Sequence, residues 1–157
     1  MKHTLLKITA MAVLLFTLGS CAKKSTSTPA STSTTPSFSA TMAGTATTFT
    51  GSATPGANYF TITGTGSNYT IKIYIPSPAS TGTFTLASVS NGGYASVATG
   101  SGALWETNAS ETGSITISTY NTSSNIVSGT FSFNAAPLSG SSSNLAVTGG
   151  SFANVSF

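Results

Sequence analysis

Glu106 and Glu111, in the stretch ETNASETG, are the only acidic side chains in this 157-residue chain. Paired carboxylates are the usual basis of general acid–base hydrolysis, and a glycosidase needs two of them flanking one bond. With Asn108 and Ser110 between them, oxygen-bearing residues alternate in a way that faintly matches a calcium loop. The glycine and the charge count of such a loop are missing, so a solvated loop is the stronger reading. Glu106 and Glu111 therefore stand only as weak metal candidates. Nothing near them could bind and distort a sugar. The chain has no Asp, Arg or Gln, and its one histidine is His3. A Ser-His-Asp arrangement cannot be assembled without His or Asp, and zinc needs three or four Cys, His or carboxylate ligands. We expect no enzyme, no catalytic residue, no metal and no cofactor.

The remaining reactive group is a single thiol, Cys21. It follows Lys2, His3 and Lys7, then an apolar run from Ile8 to Leu18 that is too short to span a bilayer, which takes about 20 apolar residues. Leu18-Gly19-Ser20-Cys21 resembles a bacterial lipobox. That resemblance implies cleavage before Cys21, a diacylglycerol thioether on its sulfur and a further acyl chain, such as palmitate, on the new terminus. One acyl chain holds a protein only marginally, whereas two or three, at about 0.8 kcal/mol per buried methylene, anchor it stably. The absence of any other cysteine fits an exported protein that forms no disulfides.

Residues 22 to 37, AKKSTSTPASTSTTPS, contain ten Ser/Thr, two Pro and two Lys. No side chain here can bury enough surface to offset ordering entropy, so we expect a disordered spacer. Lys23 and Lys24 adjoin the anchor, where anionic head groups would attract them by about 1 kcal/mol each. No acidic run resembling a surface-export signal follows Cys21, which favours the periplasmic face of the outer membrane. From Ser37 onward the charged residues are Lys72, Glu106 and Glu111, a net −1. So little basic charge excludes nucleic acid as a partner.

These residues must be positioned by strands. Ser and Thr make up 57 of 157 residues, yet the apolar residues alternate with them. Tyr69, Ile71, Ile73 and Ile75 share one face of YTIKIYI; Phe84 and Leu86, Ile115 and Ile117, and Val127, Phe131 and Phe133 repeat the pattern. Period two marks half-buried antiparallel strands. Turn-forming clusters punctuate them at 64–68, 76–82, 90–93 and 121–125. The expectation is an all-β chain: signal peptide 1–20, lipidated Cys21 and linker 21–37, and one antiparallel β-sandwich over 38–157. A small β-barrel is the alternative. Phe152 and Phe157 are expected to lie buried in a closing strand.

FSATMAGTATTFT, then ETGSITISTYNTSSNIVSGTFSFNAA, then VTGGSFANVSF resemble, in that order, a family of small Bacteroidetes lipoproteins classed as a domain of unknown function. Its FSA-, SGTFSF- and GxFxNV-type strands span essentially the whole folded part, most specifically from Gly113 to Ala135. Members more often carry a polar residue where this chain has Ala43 before Gly44, and an aromatic hydroxyl where it has Phe157. The resemblance implies the fold and the lipid anchor; it brings no activity and no site residues.

Alternation places Tyr59, Tyr74, Tyr94 and Tyr120 opposite the Phe/Ile faces, with Tyr69 alone on the apolar side. Of Leu104 and Trp105, one must point outward. Tyr74, Tyr94, Trp105 and Tyr120 are thus the candidate binding residues, offering aromatic surface and neutral hydrogen bonds to a glycan or a protein partner. Strand propensity and cross-strand pairing alone also favour exposed tyrosines. A structural or assembly subunit that docks through a sheet edge is the second reading, with Lys72 read as an edge charge that discourages unwanted pairing. Thr61/Thr63 and Thr83/Thr85 hint at an ice- or mineral-binding threonine array, but no fixed repeat places them in a ladder.

Overall fold

Alternation becomes pairing in the computed structural model, which describes residues 35–157. The signal peptide, Cys21 and most of the linker lie outside the described residues. Ten strands follow one another: β1 (Ser37–Met42), β2 (Thr45–Thr54), β3 (Tyr59–Thr65), β4 (Tyr69–Pro76), β5 (Gly82–Leu86), β6 (Tyr94–Thr99), β7 (Leu104–Glu106), β8 (Gly113–Asn121), β9 (Ile126–Ser139) and β10 (Leu145–Ser156). The only helical element among the described residues is one 3-10 turn, Val89–Asn91. No helix there is long and apolar enough to cross a membrane.

Every pairing is antiparallel. One layer runs β2-β1-β10-β9-β8-β5 and the other β2-β3-β4-β6-β7-β9. The long strands β2 and β9 belong to both. Thr45–Phe49 pair with β1 and Thr50–Thr54 with β3; Ile126–Phe133 pair with β8 and Ala136–Ser139 with β7. This is the antiparallel sandwich expected from the alternation. Its layers join along two shared strands, so the hydrogen-bonded ring closes as a barrel's does. β5 alone has a single neighbour.

Ile62, Ile71, Ile73, Ile75, Ile115 and Ile117 are essentially fully buried between the layers. Phe38 on β1 reaches across the interior and packs against Phe49, Phe131 and Phe152 at ring-centroid distances of 5.5, 5.4 and 6.0 Å. Gly64 on β3 makes room for it: a Cβ there would stand 2.5 Å from the Phe38 ring. Gly150 on β10 receives Phe131 in the same way, also at 2.5 Å. Phe152 is buried and Phe157 packs half-buried on the core.

The sharpest turn is Ala43-Gly44. Met42 pairs with Thr45, and φ is +47° at Ala43 and +84° at Gly44. Two positive φ angles in a two-residue loop define a type I′ hairpin, which matches the right-handed twist of its strands. Alanine pays a Cβ clash in this region that asparagine largely avoids.

Two outcomes follow for stability. Gly64→Ala should destabilise the protein by about 1–3 kcal/mol through overpacking against Phe38, read as a lower urea midpoint, with Thr63→Ala on the outer face nearly neutral. Ala43→Asn should raise the midpoint, by about 0.5–1 kcal/mol, because it relieves the left-handed strain.

Candidate functional site

Three consecutive strands of the second layer bring three tyrosines together on its outer face. β4 pairs with β6 so that Tyr74 lies directly opposite Tyr94. Their rings stack at 4.2 Å with planes 8° apart. Tyr59 on β3 meets both edge-on, at 6.2 Å from Tyr74 and 5.6 Å from Tyr94. Alternation explains the placement, since the flanking residues Phe60, Ile73, Ile75 and Ala95 all turn into the core. The Tyr59 hydroxyl donates to the Val89 carbonyl at 3.3 Å. It thereby ties the 3-10 turn to the cluster, and the Val89 side chain stands 55% exposed.

Each tyrosine is half-buried, and the Tyr74 and Tyr94 hydroxyls make no hydrogen bond among the described residues. Burial pushes the Tyr94 phenol above its ordinary value, with Tyr74, Glu106 and Tyr59 adding repulsion against its ionised form. It stays a neutral donor into alkaline pH. One step along the strands, Lys72, Ser96 and Glu106 form the next cross-strand rank, and neither charge of that rank has an ion-pair or hydrogen-bond partner among the described residues. Stacked ring edges, two free phenol hydroxyls and an apolar side chain suit an uncharged, hydroxyl-bearing ligand.

The other residues singled out from sequence sit elsewhere. Trp105 is turned inward at 8% exposure, and its indole N–H donates to the Ser143 carbonyl at 2.9 Å. The outward member of that pair is Leu104, half-buried on the outer side. Tyr120 is also off the outer face. Ile117 pairs with Gly129 and Thr119 with Ser128, so Ser118 is one extra residue that shifts the alternation. Past that bulge the even-numbered positions face the core, and Tyr120 stacks on Phe157 at 5.0 Å beside Phe60. Tyr59, absent from the candidate residues, completes the cluster instead. Its alternation within YFTIT shows its face, but its nearness to Tyr74 and Tyr94 depends on the strand order.

Lys72 is no edge charge. β4 is paired on both sides, with Thr63 and Ser96 as its register partners, so Lys72 stands mid-sheet. The carboxylates have separate surroundings. Glu106 lies on the outer face opposite Ser96. Glu111 sits in the following loop, where its carboxylate accepts from the Asn144 amide at 2.6 Å. Asn108 closes that loop, its Oδ1 accepting from the Ser110 and Glu111 N–H groups at 2.8 Å each. No cluster of three His, Cys, Asp or Glu occurs among the described residues.

The free edge is narrower than the strand order implies. At the end of β5 the Ala87 N–H donates to Gly93 at 2.9 Å. A Cβ on Gly93 would stand 2.8 Å from the Thr85 carbonyl oxygen. The start of β6 therefore covers this half of β5 and leaves Gly82–Phe84 for any added strand.

No curated protein and no solved structure matches the chain. A family model described as a domain of unknown function, DUF6252, matches residues 34–156. With nearly all of the described chain covered by that match, the protein belongs to the DUF6252 family.

Proposed function

We propose that this chain is a lipid-anchored, non-catalytic β-domain of the bacterial outer membrane that binds an uncharged glycan through its tyrosine face. The observation that carries the reading is the Tyr74–Tyr94 stack with both hydroxyls free, braced by Tyr59. The lipobox-like Leu18-Gly19-Ser20-Cys21 supports the anchor, and the Ser/Thr linker spaces the domain from the membrane. Membership of a Bacteroidetes lipoprotein family and a periplasmic orientation belong to the same reading. The non-catalytic reading is supported by the chemistry available: the chain has no Asp, its one histidine is His3, and of its two carboxylates Glu111 is engaged by Asn144.

A protein partner is the second reading. Docking through the sheet edge would have to use Gly82–Phe84, because the rest of β5 is covered. Three residues offer few ladder hydrogen bonds, so the tyrosine face with Val89 is the better place for a protein as well.

A glycan array probed with the full chain should show binding to neutral glycans that falls about tenfold or more in Tyr74→Ala and in Tyr94→Ala, the loss of an aromatic contact and a hydrogen bond. A flat array with folded protein would remove the glycan and leave the protein partner. Cys21→Ser should move the protein from the membrane fraction to the soluble one, since no acyl chain can then be attached; retention in the membrane would remove the anchor.

A further inference from the structure

Among the described residues, the outer face of the first layer carries neither a charge nor an exposed aromatic ring, and the topology does there what no sequence repeat could. Thr83, Thr116, Thr130, Ser151, Ser39 and Thr48 are register partners in one unbroken row across six strands. A second row runs beside it through Thr85, Ser114 and Ser132, and Thr41 opposite Thr148 continues it. Thr83 and Thr85 are thus parts of a ladder built from distant segments, whereas Thr61 and Thr63 lie on β3 in the other layer.

The rows flank a trough. Val147 pairs with Phe133 but Gly150 with Phe131, so Thr148 and Gly149 together face Ser132 in a β-bulge. Gly149 has φ +57°, and a Cβ on it would meet nothing within 4 Å. Beside Gly149 the bulge opens a depression of about 360 Å³ lined by Ser114, Thr116, Thr130, Ser132, Ser151 and Phe131. One neighbour of about 200 Å³ shares Ser114 and Ser132, and another of about 170 Å³ shares Gly149. The first two lie side by side along β8, β9 and β10, and the third lies over β1 and β2 beside Gly149, so that together they cover five strands, roughly 19 Å at about 4.8 Å per strand.

We infer that this trough binds an extended, uncharged polysaccharide, a site on the opposite layer from the tyrosines. The inference rests on the proposed function for its ligand class, not for its location. An ionic ligand would be desolvated with no counter-charge in the lining. A peptide would seek a strand edge for its backbone groups. A planar lattice such as ice fails on shape: neighbouring strands twist by about 20–25°, so a rigid plane registers with only two or three of the six. A flexible glycan chain can follow that twist. The Ser114, Thr130, Ser132 and Thr148 hydroxyls make no hydrogen bond among the described residues and are available to it.

The test is retention of the full chain, held in detergent micelles, on four neutral polysaccharides (cellulose, dextran, mannan and chitin), with alginate as the anionic control. Two hydroxyl-deleting pairs, Thr130→Val with Ser132→Ala and Ser114→Ala with Thr148→Val, keep strand propensity, and melting curves verify the fold. Retention on a neutral polymer that falls about tenfold in either pair, the loss of one or two hydrogen bonds, but persists in Tyr74→Ala is the expected result. Retention that survives in both pairs yet disappears in Tyr74→Ala overturns the trough and leaves the tyrosine face standing. No retention of the unmodified chain on any of the four also overturns it.

Discussion

The Phe38 ring holds the two layers at their working separation. Sheets pack face to face about 10 Å apart, which is close to what one aromatic side chain can span. Phe38 does so from β1 and ends against Gly64, where any side chain would collide with it. Phe131 meets Gly150 in the same way within the first layer. With no disulfide and only three charged side chains among the described residues, cohesion falls to this packing and to the backbone ladder. The glycine sockets are therefore part of the core's shape. They admit rings of fixed size, and that fixes how β1, β3 and β10 can approach.

Because the core takes nearly all of the large aliphatic side chains, what remains for the outside is polar and differs between the layers. Val89 and Leu138 are the large hydrophobics left exposed among the described residues. The second layer's outer face collects the tyrosines, Lys72 and Glu106, whereas the first layer's is a field of hydroxyls. Two bulges decide this division at particular residues. The extra residue at Ser118 carries Tyr120 into the core, and the extra residue at Thr148–Gly149 opens the trough. Each costs one ladder position and changes what a face can bind.

Local pattern made the strands legible and left their neighbours hidden. Residues 69–75 could be oriented side chain by side chain, because Ile71, Ile73 and Ile75 alternate without interruption; β4 follows that reading throughout. The turn at Asn121–Asn125 announces itself by residue type, whereas Ala43-Gly44 lies outside the turn clusters legible in the sequence. Alternation alone places Tyr120 on the wrong face because a bulge has no strong sequence mark: Ser118 and Thr119 are polar in either register. Trp105 was ambiguous because its strand is three residues long, too short to establish a period. Lys72 could be assigned to an edge only while the strand order was unknown. The tyrosine cluster and the hydroxyl row both depend on which distant strands pair, and that is a property of the whole ring.

The scarcity of charge links the architecture to the kind of recognition it can support. A surface with a net −1 over the folded part exerts almost no steering field, and salt screening has little to act on. Encounter must then rely on local concentration, and a tether that keeps the domain near one surface would supply it. Once in contact, discrimination falls to hydrogen-bond geometry and aromatic edges, which accept neutral hydroxyl-rich chains and penalise any ligand that must leave a charge unpaired. Held at one surface by the proposed anchor, a nearly uncharged domain with two differently built faces would suit a polymer it can meet repeatedly, more than a small solute it would meet once.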